Sequence, residues 1–385
     1  MGLSAYIIAG EQSGDQLGSH LIDGLKQLEP EILLSGVGGS LMREKGLSSL
    51  FDMSDLSVMG LVEVLPRLPL LLKRIKQTVA DVLRVDPDVL ITIDSPDFCL
   101  RVARAVKKER PGLKIVHYVA PSVWAWRPHR AQKMAQHVDH VLALLPFEPP
   151  YMEKAGMSSD FVGHPISTVP VQSEQAKLAF RESHAIPPDA PLLCLLPGSR
   201  MGEITRHSPI LFDVVGRLLA EKPELHVVLP AAPAVFETVN VTFSGLDRIH
   251  VLDPKETPQE QKFAAFAASN AALAVSGTVS LELASQDTPM VVAYDAAWLT
   301  KRIIKRAFLL ETATLVNIVS ETMAVPEFIF ENFRSQLITQ ALLDLLAGEG
   351  ASAQSEAASL TMERLGRGGE KPGLRAARSV LNALQ

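Results

Sequence analysis

The sequence predicts an α/β protein built from two Rossmann-like domains that face a cleft. Three observations support this fold class. Short apolar, β-branched runs alternate with segments of helical period, which is typical of parallel βαβ units. The alternation stops in a polar, proline-containing stretch, residues 166–191, and then begins again. The chain of 385 residues is also long enough for two domains that each bury a core.

Each half contains five predicted strands, and each strand is followed by an amphipathic or capped segment. In the first half the strands are residues 6–9, 32–37, 89–93, 114–119 and 141–145. In the second half they are residues 192–196, 226–229, 249–252, 272–275 and 290–293. C-terminal helices are predicted at 336–346, 355–364 and 374–384, and they could pack on either half. We therefore expect domains at 1–165 and 186–350, followed by helices in 351–385.

The composition is that of a soluble globular protein, with 47% hydrophobic and 21% charged residues. A net charge of −6 offers no global attraction for nucleic acid or anionic lipid, so no nucleic-acid partner is expected and lipid contact requires a local patch. Cys99 and Cys194 lie in apolar runs, which predicts buried thiols in a reducing compartment. No secretory signal is predicted at residues 1–10. The longest uncharged run, 263–281, is predicted as helix, strand and turn because it contains many polar residues.

The loops after the strands of the first half are candidate sites, because open parallel sheets bind ligands beyond the carboxyl ends of their strands. After the first strand, Glu11, Ser13, Gly14 and Asp15 open a helix with small residues that admit a ligand. Neither this loop nor residues 36–40 has the G-x-G-x-x-G spacing, so no nicotinamide or flavin cofactor is expected.

Two carboxylates, Asp94 and Asp97, follow the predicted strand 89–93. Pro96 predicts that a helix starts between them. Position at the strand edge leaves the two residues nearly equal as candidates for a chemical role.

In the second half, Gly198, Ser199 and Arg200 follow the strand 192–196, and Glu203 comes about one turn later. Backbone N–H groups, a hydroxyl and a guanidinium at one strand end suit a diphosphate. The alternative is a tight turn in which Arg200 pairs with Glu203.

A second anion site is predicted at Ser276, Gly277 and Thr278, which precede a helix containing Glu282. N–H donors and the positive end of the helix dipole would face a phosphate, and Glu282 could hold the hydroxyls of an attached sugar. A plain N-cap explains the turn equally well. No metal is expected, because 86–88 precedes its strand and His137 and His140 lack a third ligand.

Residues 56–76 combine leucines with basic side chains. One apolar stripe at helical spacing would face the core; it consists of Leu68, Leu72, Ile75, Val79 and Val82. Two leucines and four basic residues fall outside it: Leu70, Leu71, Arg67, Lys73, Arg74 and Lys76. Such a surface is typical of a membrane or lipid-chain site, and a core helix with a solvated basic face is the alternative. Residues 301–306 form a similar basic amphipathic segment.

Several motifs together resemble the lipid-A-disaccharide synthase family. They are E-Q-S-G-D at 11–15, V-M-G at 58–60 with E-V-L at 63–65, I-D-S-P-D-F at 93–98, P-S-V-W-A-W-R at 121–127, L-P-F-E at 145–148, G-H-P at 163–165, P-G-S-R at 197–200 and S-G-T at 276–278. They occur in the family's order over nearly the whole chain, and the W-A-W block is highly specific.

The resemblance implies a GT-B glycosyltransferase without metal or cofactor. It would transfer 2,3-diacylglucosamine from its UDP derivative to 2,3-diacylglucosamine 1-phosphate (lipid X), giving UDP and a β-1,6-linked disaccharide. Such enzymes work at the cytoplasmic face of the inner membrane and can form homodimers with exchanged C-terminal segments. The first domain would then face the acceptor and the membrane, the second would bind the UDP-sugar, and the helices in 351–385 would pack back on the first.

The resemblance also implies residue roles. Asp97 would be the general base, and Asp94 would cap the turn beside it. Acceptor or cleft residues would include Ser122 and Trp124 with those of the first loop, and Asn317 would serve the donor. The chain departs from the family at Val316, where proline is common, which leaves the shape of that loop open.

Two other functions fit the predicted architecture. A UDP-sugar epimerase, or a transferase to a soluble acceptor, would not need the apolar and basic segment 56–76. A two-lobed binding protein would bind ligand without releasing UDP.

Overall fold

The computed structural model describes residues 2–56, 61–243, 245–275, 277 and 279–385; the side chains of 61–67, 299, 303 and 305–307 are also outside the description. The chain forms two compact units. The first contains Met1–Pro165 and Gly368–Gln385, and the second contains Ile166–Arg367.

The first unit is a seven-stranded parallel sheet in the order β3-β2-β1-β4-β5-β6-β7. Its strands are β1 Ser4–Ala9, β2 Leu33–Val37, β3 Ser48–Ser49, β4 Val89–Ile93, β5 Lys114–Tyr118, β6 His140–Ala143 and β7 Ser158–Phe161. Its helices are α1 Gln12–Leu28, α2 Ser40–Glu44, α3 Leu61–Val85, α4 Pro96–Glu109, α5 His129–Met134, α6 Pro149–Glu153 and α16 Pro372–Leu384.

The second unit is a six-stranded parallel sheet in the order β10-β9-β8-β11-β12-β13. Its strands are β8 Leu192–Leu196, β9 His226–Pro230, β10 Ile249–Leu252, β11 Ala271–Ala274, β12 Met290–Tyr294 and β13 Glu327–Ile329. Its helices are α7 Glu174–Ser183, α8 Met201–Glu221, α9 Phe236–Phe243, α10 Gln259–Ala268, α11 Val279–Ser285, α12 Trp298–Ala307, α13 Leu315–Ser320, α14 Ser335–Leu346 and α15 Ala351–Arg364.

The α/β fold class is confirmed, and the ten predicted strands are present. In β1, Tyr6 and Ile8 pack in one apolar cluster whereas Ala5 and Ile7 pack in another, so the first sheet is covered on both faces. The sequence did not predict the short edge strands β3, β7 and β13, which contain few apolar residues. Both cysteines are buried free thiols, as predicted. Within the described residues, no helix has the length and apolar content that crossing a bilayer requires.

The two C-terminal helices belong to different units. Helix α15 packs against α11 and α13 in the second unit, whereas α16 packs against α1 in the first. Of these two helices, α16 therefore packs on the first unit and α15 on the second. Helix α16 is also fixed by polar contacts, because the Ser379 hydroxyl lies 2.7 Å from Nε2 of His140 and donates to Asp160 Oδ2 at 2.6 Å.

The apolar stripe of α3 agrees with the predicted one at Ile75, Val79 and Val82 and differs from it nearer the start of the helix. Leu71 and Ile75 pack against the core and Thr78 and Val82 are buried, so the stripe follows the spacing i, i+4, i+7, i+11. Thr78 fits there because its hydroxyl donates to the Arg74 carbonyl at 2.8 Å. Leu71, assigned from the sequence to the lipid-facing surface, is half-buried and packs against this core.

The predicted core positions Leu68 and Leu72 are instead 41% and 44% exposed. Lys73 and Lys76 are exposed beside them, and Leu70 is half-buried. Arg74 is not a free surface cation, because it donates to Asp55 Oδ2 at 2.8 and 2.5 Å and its guanidinium lies 4.5 Å from the Phe51 ring centroid. The Arg67 side chain and residues 57–60 lie outside the described part of the chain.

Helices α1 and α16 cross at two glycines. A Cβ on Gly24 would overlap the carbonyl oxygen of Gly373, and a Cβ on Gly373 would overlap the carbonyl oxygen of His20. Only hydrogen fits at either position, so the backbones touch directly.

Gly24→Ala is therefore expected to lower the free energy of unfolding by about 1–3 kcal/mol, because the added methyl group must push the two helices apart. Denaturant unfolding of the full-length protein, followed by circular dichroism, measures the change.

Gly216→Ala is the matched control, because Gly216 is also inside a long helix but is exposed and has no atom within 4 Å of an added Cβ. It should be neutral or stabilising by up to about 1 kcal/mol. Equal stability of the two variants would contradict the close crossing.

Candidate functional site

The strand order of each sheet reverses at one point. In the first sheet the chain passes from β1 to β2 on one side and later places β4 on the other. In the second sheet β8 has β9 on one side and β11 on the other. Loops diverge at such points and leave a crevice at the carboxyl ends of the strands. The predicted residues of 10–15 and 94–97 flank the first crevice, and those of 197–203, with Gly277 and Glu282, flank the second.

Left-handed backbone is concentrated at the carboxyl ends of β4 and β5. Asp94, Ser95 and Val119 have φ of 47°, 42° and 84°. Each such non-glycine residue costs about 1–3 kcal/mol, and a β-branched one is especially unusual. Continued sheet bonding offsets this strain, because the Asp94 N–H donates to the Tyr118 carbonyl at 2.9 Å and the Val119 N–H donates to the Leu142 carbonyl at 3.0 Å. Backbone strain held in this way is typical of functional edges.

Asp94 and Asp97 have different surroundings. Asp94 is half-buried, and burial raises its pKa above the ordinary value, although a backbone N–H at Ser95 opposes the shift. Asp97 lies in the first turn of α4, after Pro96, as predicted. Its carboxylate is exposed and makes no hydrogen bond or ion pair with another described residue. Of the two carboxylates, Asp97 is therefore the more accessible to solvent.

The first loop contains two exposed and two buried predicted residues. Glu11 and Ser13 are exposed, whereas Gly14 packs against β1. Asp15 is 2% exposed, and its carboxylate accepts the N–H groups of three residues at the start of α2 at 2.8–3.1 Å. Those residues are Gly39, Leu41 and Met42. Asp15 thus caps α2 and fixes the loop after β2.

The W-A-W segment is anchored by a carboxylate that the sequence did not single out. Trp124 is 7% exposed, and its Nε1 donates to Glu148 Oε1 at 3.1 Å. Glu148 Oε2 accepts the N–H groups of Leu144 and Leu145 at 3.1 and 3.0 Å. Burial raises the pKa of Glu148 to about 7, against these donors. Trp124 therefore anchors its loop, and Ser122 is the predicted residue that stays exposed there.

A signal for Glu148 was present in the sequence. It ends the L-P-F-E motif directly after the predicted strand 141–145. A carboxylate that follows a buried strand so closely either binds a ligand or caps the backbone, and here it caps.

In the loop after β8 a carboxylate binds the backbone N–H groups, and the ion pair of the alternative interpretation is also present. Gly198 has φ 120°, and a Cβ there would lie 2.7 Å from Glu203 Oε2. That oxygen accepts the N–H groups of Ser199 and Arg200 at 3.1 and 3.3 Å. Arg200 Nη1 lies 3.4 Å from Glu203 Oε1, yet the Arg200 side chain is 73% exposed. The pairing is loose, and the guanidinium is open to solvent.

The turn before α11 is described only at Gly277, which is exposed with φ 141°. Ser276 and Thr278 lie outside the described residues. Glu282 Oε2 pairs with Lys262 Nζ at 2.6 Å, a partner that sequence reasoning missed because it lies on α10. A sugar hydroxyl at Glu282 would have to share the carboxylate with Lys262.

Asn317 is buried and its amide is fully used. Nδ2 donates to the Val325 carbonyl at 2.9 Å, and Oδ1 accepts the Val325 N–H at 3.0 Å. Val316 is the second residue of α13, where no N–H has an intrahelical partner, so valine and proline both fit. The helix begins at Leu315 despite the substitution. Asn317 therefore shapes the loop from within.

Comparison with known proteins identifies the family of this chain. The lipid-A-disaccharide synthetase family model matches residues 5–374. Lipid-A-disaccharide synthase of Ruegeria pomeroyi is 51% identical, covering 99% of this chain and 96% of that protein. The synthase of Rhodospirillum centenum is 42% identical, covering 99% and 95%.

Solved structures resemble the fold at low identity. An S. aureus MnaA–UDP co-structure has a TM-score of 0.66 and 18% identity, covering 99% of this chain and 95% of that one. A putative UDP-N-acetylglucosamine 2-epimerase from Listeria monocytogenes has a TM-score of 0.63 and 16% identity, covering 100% and 96%. These likenesses show the GT-B fold alone. Because the family model and the curated relatives both extend over nearly the whole sequence, the chain belongs to the lipid-A-disaccharide synthase family.

Proposed function

We propose that this chain is an inverting glycosyltransferase of lipid A biosynthesis. It transfers 2,3-diacylglucosamine from its UDP derivative to the 6-hydroxyl of lipid X, and it releases UDP and the β-1,6-linked disaccharide. The observation that carries this proposal is 51% identity to a lipid-A-disaccharide synthase over 99% of the chain. The relatives favour this function over a UDP-sugar epimerase, whose likeness concerns the fold.

Asp97 is the proposed general base. A carboxylate is a weak base for an alcohol, so it accepts the proton only as the new bond forms. Such a base must be placed accurately and have a free oxygen, and the exposed carboxylate in the first turn of α4 meets both needs. Asp94, held in the left-handed turn before it, braces that position.

The loop of Gly198, Ser199 and Arg200 is the proposed site of the UDP diphosphate. Negative charge grows on UDP as it departs, and donors already in place stabilise this charge by about 3–4 kcal/mol each. Glu203 holds the loop N–H groups in one arrangement, and Arg200 supplies an exposed fork of donors. The proposal extends to Ser276, Gly277, Thr278 and Glu282 on the neighbouring strand end.

The exposed side chains of Glu11, Ser13 and Ser122 are the proposed acceptor contacts. Asp15 and Trp124 support them indirectly, because their polar atoms bind the protein itself. Asn317 supports the donor side in the same indirect way, because its amide donates to the Val325 carbonyl.

We also propose peripheral attachment at the cytoplasmic face of the inner membrane through α3, where two exposed leucines lie beside two exposed lysines. A homodimer that exchanged its C-terminal segments would use the α1–α16 contact between two copies instead of within one.

The experiment that tests the function incubates purified protein with the UDP-diacylglucosamine and lipid X, and measures UDP and disaccharide by mass spectrometry. Asp97→Asn should lower kcat by about 10²–10⁴, because the base is lost. The dissociation constant for UDP should stay unchanged.

Asp94→Asn is the control, since asparagine tolerates left-handed backbone and keeps the turn. It should retain most of the turnover. Near-normal turnover in Asp97→Asn, or an equal loss in both variants, would rule out the assignment of the base.

Arg200→Ala should weaken UDP binding and lower kcat/KM by about 100-fold, because the growing charge on UDP loses a charged donor. Isothermal titration with UDP and steady-state kinetics measure the two effects. Arg217→Ala is the control in α8, the helix that Arg200 precedes, since Arg217 pairs with Asp213 at 3.0 Å and has no proposed ligand. An unchanged UDP dissociation constant in Arg200→Ala would favour the turn-and-ion-pair alternative.

Replacing Leu68 and Leu72 by serine and Lys73 and Lys76 by alanine should lower binding to anionic vesicles by about tenfold or more, because apolar burial and charge attraction are both lost. Co-sedimentation of the full-length protein with vesicles measures the effect. Leu178→Ser, at a 53% exposed leucine of α7, should leave sedimentation unchanged. Equal sedimentation of the quadruple variant and the native protein would count against the α3 surface.

A further inference from the structure

Helix α12 starts at the same sheet edge as the proposed UDP site. Strand β12 lies next to β11, which lies next to β8, and all three strands are parallel. The carboxyl end of β12 leads through residues 295–297 into α12, just as the carboxyl end of β8 leads into the loop 198–200. Both belong to the second unit, so this neighbourhood is internal to one sheet.

The start of α12 is anchored to the helix that carries Arg200. His207 of α8 is buried, and its Nε2 lies 2.8 Å from the Asp295 carbonyl oxygen and 3.2 Å from the Asp295 nitrogen. Lys301 pairs with Asp295 Oδ1 at 2.8 Å and stands 5.5 Å from the Phe330 ring centroid. The first turn of α12 is thus held on its inner side.

The outer side presents an indole to solvent. Trp298 is 70% exposed, which is unusual for a tryptophan. Arg302, one turn later, is also exposed, and its guanidinium lies 5.7 Å from the Trp298 ring centroid. Leu309, just after the helix, is 61% exposed. These residues leave apolar surface without a partner among the described residues.

All charged residues of α12 are basic. Its sequence, WLTKRIIKRA, contains four basic residues and no acidic residue. Besides Lys301 and Arg302 these are Lys305 and Arg306, whose side chains lie outside the description. A strongly cationic helix in a chain of net charge −6 attracts anions locally. Indole and leucine beside such cations match an anionic lipid surface, where aromatic rings lie at headgroup depth and basic groups bind phosphates.

We propose that α12 is a second lipid-contacting helix, which inserts Trp298 and Leu309 into an anionic bilayer surface and places Arg302 against its headgroup phosphates. The proposal rests on the proposed function in one respect: a donor whose diphosphate binds at Arg200 carries two acyl chains, and α12 lies on the same sheet edge. The lipid end of the donor would then remain in the bilayer while its head is bound.

The test uses the full-length protein, without substrates, and vesicles of phosphatidylethanolamine and phosphatidylglycerol that carry bromine-labelled acyl chains. Bromine should quench Trp298 emission, since the indole enters the acyl region. Trp298→Ser should abolish this quenching. Arg302→Glu should lower the vesicle-bound fraction by at least about fivefold, as expected for the loss of one surface cation.

Val241→Ser is the control, because Val241 is an 80% exposed apolar residue elsewhere in the same unit. It should bind and be quenched like the native protein. Quenching that persists in Trp298→Ser, or binding that is unaltered in Arg302→Glu, would overturn the proposal. Equal affinity for phosphatidylcholine vesicles and for the anionic vesicles would overturn the proposed preference for anionic lipid and indicate a different partner.

The outcome is separable from that of the proposed function. Vesicle binding needs no substrate, so absence of UDP release in the native protein would refute the transferase and leave the lipid result standing. Conversely, normal UDP release from detergent-dispersed substrates, together with unquenched Trp298, would refute only the lipid contact.

Discussion

The reversal of strand order at the first strand of each sheet determines where chemistry can occur. A parallel sheet sends every strand in the same direction, so all its carboxyl ends meet at one edge. The loops that follow β1 and β4 run to opposite sides of the first sheet, and those that follow β8 and β11 do the same in the second. Backbone N–H groups in these loops lie outside the sheet hydrogen bonding. The left-handed turn at Asp94 and Ser95 and the glycine turn at Gly198 are both consequences of chains that must turn sharply at this edge.

Buried and half-buried carboxylates give these loops their shape. Asp15, Glu148, Glu203 and Glu327 each accept at least two backbone N–H groups from a neighbouring loop. A carboxylate with several N–H partners fixes a loop more strongly than neutral bonds do, since charge-assisted hydrogen bonds are roughly twice as strong. Acidic residues near strand ends are therefore weak evidence of catalysis in this chain. The exposed Asp97 differs from all four in this respect.

The sequence predicted features whose cause is local. The ten strands follow from apolar runs a few residues long, and the start of α4 follows from Pro96. Features with distant causes were missed. The burial of Thr78 in the stripe of α3 was also missed, because a threonine is polar and its hydroxyl is satisfied here by the Arg74 carbonyl. The position of α16 depends on His140, which lies far away along the chain from Ser379.

The candidate site shows the same division. Motifs identified the loops, but they could not tell which side chains face a ligand and which support the loop. Trp124 and Asn317 both belong to recognised segments, and both direct their polar atoms into the protein. This depends on partners such as Glu148 and Val325, which only the folded chain brings close.

Charge distribution bears on how an acidic chain would make the proposed lipid contacts. Acidic residues number 43 against 37 basic ones, so an anionic bilayer repels the chain at long range. At physiological ionic strength this repulsion is screened beyond about 8 Å, and only groups close to the surface matter. Lys73 and Lys76 beside the exposed leucines of α3, and Arg302 beside Trp298, combine attraction with apolar area in small patches. Each patch contributes to binding only when it touches the lipid. Attraction restricted to such patches therefore favours a limited set of orientations of the protein on the bilayer. A uniformly basic surface would not select among orientations.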